Sequence, residues 1–149
     1  MHKSDCITNG STIAFVGQCS IHLSHFPQSD WWCIESCPTE AIVEPFVIQS
    51  DLCIAYHTIE SREKTIPKKI EKNLNGWVAG CDICQDVCPW NKGVPFNDTH
   101  ETTPKKWIND LGIESLNWDD KTWGENLKGT TLKRIKPWMW RRNMKANLS

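Results

Sequence analysis

Apolar positions are brief and irregular along the first 32 residues. Ile13-Ala14-Phe15-Val16 has no clear period around it, and Pro27-Gln28-Ser29-Asp30 is turn chemistry. Irregular structure is expected for residues 1–32. From Cys33 the pattern sharpens. Cys33 to Cys37 reads as one tight helical turn stopped by Pro38. Ala41-Ile42-Val43 and Phe46-Val47-Ile48 flank Glu44-Pro45 as two short strands of a hairpin. Asp51 is placed to N-cap a helix through Glu60, with Leu52, Tyr56 and Ile59 at helical spacing. Ile66-Pro67 opens a further short helix with Pro67 near its first position, and Asn75-Gly76 marks a turn. After Asn91 the composition changes to Trp-containing helical patterns over Pro104–Leu111, Asp119–Leu127, Thr131–Lys136 and from Pro137 onward. The expected fold is α+β: an irregular segment at 1–32, a small cysteine-bearing domain at 33–100 and a short helical region at 101–149.

The chain has 149 residues, of which 39% are hydrophobic, below the usual globular share of about 45–50%. A small apolar core needs help, and a metal cluster is one form of it. The eight cysteines also allow four disulfides, but the start Met1-His2-Lys3-Ser4-Asp5-Cys6-Ile7 has no apolar h-region. A cytoplasmic setting is therefore expected, where cysteine clusters bind metal more often than they bridge. No run approaches the length of a membrane span, so no membrane partner is expected.

Net charge is −1, unevenly spread. Lys128, Lys133, Arg134, Lys136, Arg141, Arg142 and Lys145 give the last 24 residues +7 with no acid, which leaves −8 for the rest. Such a tail suits a polyanion such as nucleic acid, or is simply a solvated helix face.

The cysteines carry the chemistry. Gly80-Cys81-Asp82-Ile83-Cys84-Gln85-Asp86-Val87-Cys88-Pro89 and Cys33-Ile34-Glu35-Ser36-Cys37-Pro38 both close on Cys-Pro. This is the manner of bacterial ferredoxins, in which four thiolates hold a [4Fe–4S] cluster and the last cysteine of each run crosses to the other cluster. Gly80 is expected to let the backbone come close to the inorganic core. With Cys53 as the detached first cysteine of the second run, one site takes Cys37, Cys53, Cys81 and Cys84. The other takes Cys33 and Cys88, but three and six residues before Cys33 stand Asp30 and Pro27. Proline offers no ligand and a carboxylate is a poor substitute for thiolate there. One complete and one incomplete site are expected, with Cys6 and Cys19 as inert thiols. The rival is a tetrahedral zinc site on Cys33, Cys37, Cys81 and Cys84. The five histidines fall at unrelated spacings, and no catalytic constellation is visible.

Cys33–Ile42 followed by Asp51–Glu60, the run Gly76–Asn91, and the tail Leu127–Lys136 with Pro137–Asn143 resemble epoxyqueuosine reductase. The resemblance implies reduction of the epoxide of epoxyqueuosine in a tRNA anticodon loop to queuosine, in the cytoplasm. It implies a cobalamin in a catalytic domain ahead of two [4Fe–4S] clusters that pass it electrons, and a C-terminal part that helps hold the tRNA. Thirty-two residues are too few for the cobalamin domain. Residues 1–32 are therefore expected to be unrelated to the family, as a frameshift would leave them, and the chain to be its electron-relay portion without the catalytic half. It would then need an electron donor and a separate cobalamin-binding chain. Two further readings stand: a stand-alone ferredoxin-like carrier, and a tRNA-binding module without activity. The last would use Lys133, Arg134, Lys136, Arg141 and Arg142 on phosphates and Trp138 or Trp140 on a base. Helix packing is the plainer role for those tryptophans, and more so for Trp118 and Trp123.

Overall fold

The computed structural model describes residues 8–9, 12–14, 32–93 and 111–148. Cys6, Cys19, Pro27, Asp30 and nearly all of the expected helix at 104–111 lie outside them.

The sheet has four short antiparallel strands in the order β1-β2-β4-β3. β3 (Ile42–Glu44) and β4 (Val47–Gln49) form the expected hairpin, irregular between Ile42 and Glu44. Its turn holds Pro45 and then Phe46 at φ 69°, a left-handed position usually given to glycine. β1 (Thr8–Asn9) and β2 (Thr12–Ala14) extend the sheet beyond β4, with Ile13 opposite Ile48. Part of the segment expected to be irregular is thus recruited by the open edge of the hairpin, since an unpaired strand edge is a template for pairing.

Around this sheet the chain is built from single turns. α1 (Trp32–Glu35) ends before Pro38, as proline requires. The helix expected over Asp51–Glu60 is broken in two. Ser50–Leu52 is a 3₁₀ turn without a side-chain cap from Asp51, Cys53 is extended (φ −81°, ψ 124°), and Tyr56–Glu60 is a π turn closed by Ser61 N–H donating to Tyr56 C=O at 2.8 Å. The break falls on a cysteine whose backbone must leave the helix, and π turns of this kind gather at functional sites. α2 (Lys68–Glu71) begins one residue later than expected, with Pro67 as its cap. Asn75 and Gly76 both take positive φ (48° and 86°), the two-residue turn that such a pair favours. α3 (Ile83–Asp86) packs against α1. α4 (Asp120–Asn126) is capped by Asp119 Oδ1, which accepts from Thr122 N–H at 2.7 Å. α5 (Pro137–Asn147) starts on proline.

Two apolar clusters hold these turns together. Ile54, Ile66, Ile70 and Leu74 form one, with Trp77, Cys81 and Ala146 against it. Trp123, Leu127, Ile135, Met139 and Trp140 form the other, joined by Ile59, Val78, Ala79 and Trp118. Trp123 donates its indole N–H to Ile135 C=O (3.0 Å) and Trp140 donates to Ser115 Oγ (2.8 Å), so both bury a polar handle with a partner. Trp118, Trp123 and Trp140 are therefore packing residues. α5 touches both clusters and lies against the π turn, so the segments on either side of residue 100 share one interface. No described helix is long and apolar enough to cross a membrane.

Leu127 is fully buried in the tryptophan cluster. Leu127→Ala should cost about 3 kcal/mol, read by urea unfolding followed through tryptophan fluorescence. A change within experimental scatter would show that this cluster does not bear on stability.

Candidate metal centre

Six cysteines, Cys33, Cys37, Cys53, Cys81, Cys84 and Cys88, are described, all half-buried and none bridged. Each is delivered by a turn rather than by a long element. Cys33 lies in α1 and Cys37 just after it. Pro38 ends the helix and Glu40, at φ 58°, folds the chain back. That return directs the Ala41 N–H at Cys37 Sγ (3.2 Å), while the buried Thr39 hydroxyl lies 3.7 Å from the same sulfur. Cys53 occupies the helix break, its N–H donating to Ser50 C=O at 3.0 Å. Cys81 follows Gly80, whose φ of 81° few other residues adopt. A Cβ on Gly80 would meet only Ile59 Cδ1, at an ordinary 3.7 Å. Backbone conformation, not crowding by protein atoms, is thus what Gly80 supplies in the chain itself. Cys84 lies in α3. Cys88 closes that helix, where Asn91 Nδ2 donates to Gln85 C=O at 2.8 Å.

The electrostatics bind these sulfurs into one field. Burial pushes the Cys81 thiol up, and charge on Cys53, Cys37 and Asp82 pushes it further. Burial also raises Cys84, helped by Cys81, Cys53 and Cys33. Cys33 is raised by burial first and then by Cys88 and Cys37. Cys37 departs from the rest. Burial alone would raise it, but hydrogen bonds from the Thr39, Ala41 and Ile42 backbones and from the Thr39 hydroxyl outweigh burial and hold it below the ordinary thiol range. Cys81 thus feels Cys53 and Cys37, Cys33 feels Cys88 and Cys37, and Cys84 feels Cys81, Cys53 and Cys33, so the couplings do not divide the sulfurs into two sets.

Half-buried thiols that repel one another suit a soft, positively charged iron core, which deprotonates its ligands outright. The donor set therefore fits an iron–sulfur cluster. Among the described residues no three His, Cys, Asp or Glu side chains converge closely enough to hold a single metal ion. His57 is buried, its Nε2 2.8 Å from Asp51 C=O, and the other four histidines lie outside the described residues.

The basic tail is spent differently from its expected use. Arg142 reaches inward, donating to the carbonyls of His57, Ser61 and Glu63 and to Asn143 Oδ1, and burial lowers its pKa. Arg141 donates to Leu116 and Trp118 carbonyls (3.1 and 2.8 Å), and Arg134 pairs with Glu60 at 2.6 Å. Lys133 and Lys136 are exposed. Trp140 is buried, whereas Trp138 is 41% exposed with the Arg142 guanidinium 5.5 Å from its ring. Residues missed from sequence are Thr39, Thr58 and Asn143. Asn143 had a signal: it continues the buried stripe Ile135, Met139 at helical spacing, and a polar residue there needs partners.

Fold and thiols together define a [4Fe–4S]-binding protein, and residues 32–91 match the 4Fe-4S double cluster binding domain. The chain is 53% identical over 114 residues to the epoxyqueuosine reductase of Prochlorococcus marinus and 52% identical over 116 residues to that of a Synechococcus species, covering 75% and 76% of this chain. It spans 36% of the length of each. A crystal structure of selenomethionine-labelled epoxyqueuosine reductase superimposes with TM-score 0.66 at 26% identity, over 78% of this chain and 31% of that one. Another, of epoxyqueuosine reductase with an epoxyqueuosine-modified tRNA-Tyr stem loop, gives TM-score 0.62 at 28% identity, over 78% of this chain and 31% of that one. Over its matched length the chain is similar to epoxyqueuosine reductases, of which it spans about a third.

In the metal-free chain, Cys37 should alkylate with iodoacetamide at lower pH than Cys81 or Cys84, because its depressed pKa keeps it a thiolate further down the scale. Peptide mapping across a pH series measures this. A common pH dependence for the three would contradict the hydrogen-bonded cradle around Cys37.

Proposed function

We propose that this chain is the electron-relay portion of an epoxyqueuosine reductase. It takes electrons from a donor and passes them toward a cobalamin carried by the remaining part of the enzyme, for reduction of epoxyqueuosine in tRNA to queuosine. The observation that carries the reading is the set of six half-buried, unbridged thiols within residues that match a 4Fe-4S double cluster binding domain. Cys37, Cys53, Cys81 and Cys84 would hold one complete [4Fe–4S] cluster, and Cys33 and Cys88 belong to a second, incomplete site. When bound, such a cluster supplies one-electron redox chemistry. The chain's own residues hold it in place, tune it through N–H donors to sulfur, and limit water by half-burying each thiolate.

Replacing Cys81 or Cys84 with Ser should abolish most iron binding by anaerobically purified chain, whereas Cys88→Ser should keep more than half of it. Iron and acid-labile sulfide assays read this. Equal loss in all three variants would contradict the division of ligands.

The tRNA belongs to the same reading. It is supported by the modified stem loop in the crystal structure of a structural neighbour and by the exposure of Lys133, Lys136 and Trp138. Arg142 is reassigned to the interior. Affinity for a tRNA anticodon stem loop should fall steeply with salt, and Lys133→Ala with Lys136→Ala should reduce the logarithmic salt slope by about two. An unchanged slope would remove this surface from the RNA contact, and no affinity at low salt would favour a stand-alone carrier.

A further inference from the structure

We propose that Thr58 and Asn143 are positioning residues for the cluster ligands, joining the loops that carry Cys53 and Cys81 to the C-terminal helix. Both side chains are fully buried. The Thr58 hydroxyl donates to Ile54 C=O at 2.9 Å and accepts from Gly80 N–H at 3.1 Å. Ile54 is the residue after Cys53, and Gly80 is the residue before Cys81. One hydroxyl thus ties the turn that follows Cys53 to the loop that precedes Cys81, across the 22 residues from Thr58 to Gly80. Asn143 adds the second tie. Its Nδ2 donates to Thr58 C=O and to Val78 C=O, both at 2.8 Å, bridging the same two segments from α5. Its Oδ1 accepts from Arg142 Nε at 3.0 Å, while Arg142 satisfies the carbonyls of His57, Ser61 and Glu63.

A hydrophobic contact tolerates sliding; these hydrogen bonds do not. Gly80 gives Cys81 a backbone conformation with a wide choice, and Thr58 removes the choice. The C-terminal helix is therefore part of the cluster site although it supplies no sulfur. This inference rests on the cluster reading above, and the test separates the two.

The full chain is reconstituted anaerobically as wild type, Thr58→Val, Thr58→Ser and Asn143→Asp. Iron release to a chelator and visible circular dichroism of the bound cluster are recorded. Thr58→Val keeps the shape and removes the hydroxyl. Asn143→Asp keeps the acceptor for Arg142 and removes both donations. Each should release iron about tenfold faster than wild type, in keeping with the loss of a buried hydrogen bond, and should alter the dichroism. Thr58→Ser should stay within about twofold of wild type with a native spectrum. Wild-type release and spectra in Thr58→Val and Asn143→Asp would overturn the inference. So would equal loss in Thr58→Val and Thr58→Ser, which would assign the effect to methyl packing. A wild-type chain that takes up no iron and sulfide would instead overturn the cluster reading itself.

Discussion

Sulfur held away from water beside more sulfur is the constraint on which this structure depends. Burial and mutual repulsion raise the thiols of Cys33, Cys81 and Cys84, so the protein alone cannot keep them all ionised at neutral pH. A cationic inorganic core reverses that penalty, because it bonds thiolate and gathers the repelling charges onto its own irons. The short turns of residues 32–91 make sense in these terms. Each is too brief to be stable by propensity, and Trp32–Glu35, Ser50–Leu52, Ile83–Asp86 and Pro89–Asn91 each carry or adjoin a cysteine.

The rest of the chain stiffens that arrangement from outside. The Ile54–Leu74 cluster sits beneath Cys81, and the tryptophan cluster anchors α5 on the opposite flank of the π turn. Arg142 shows how the two are joined. A half-buried guanidinium with several donors reaches the carbonyl of His57 in the irregular Tyr56–Glu60 turn and those of Ser61 and Glu63 just after it. The excess of basic residues in the tail is consequently two populations: arginines engaged with the chain's own backbone or acids, and lysines facing solvent.

Local chemistry was legible in the sequence wherever one or two residues dictate it. Pro38 stops α1, Asn75-Gly76 makes its turn, Asp119 caps α4, and the Cys-Pro endings announce their metal chemistry. The hairpin around Pro45 was legible for the same reason. What escaped depends on partners far along the chain. The helix read from Asp51 breaks at Cys53, which is extended between a 3₁₀ turn and a π turn, although the local period looked continuous. Arg142 looked like a phosphate contact because sequence does not reveal that carbonyls 79 to 85 residues earlier lie beside it. Thr58 carried no motif at all, and Asn143 only a polar residue on a buried stripe; the third dimension sets them between two cysteine loops.

Every role proposed for these residues requires that the sulfurs together grip one iron–sulfur cube. The most direct test is the ratio of iron to inorganic sulfide to protein in the anaerobically reconstituted chain, with electron paramagnetic resonance of the reduced form. The prediction is about four irons and about four sulfides per chain, with the signal of a reduced [4Fe–4S] cluster. Zinc without sulfide, or iron without it, would contradict the account.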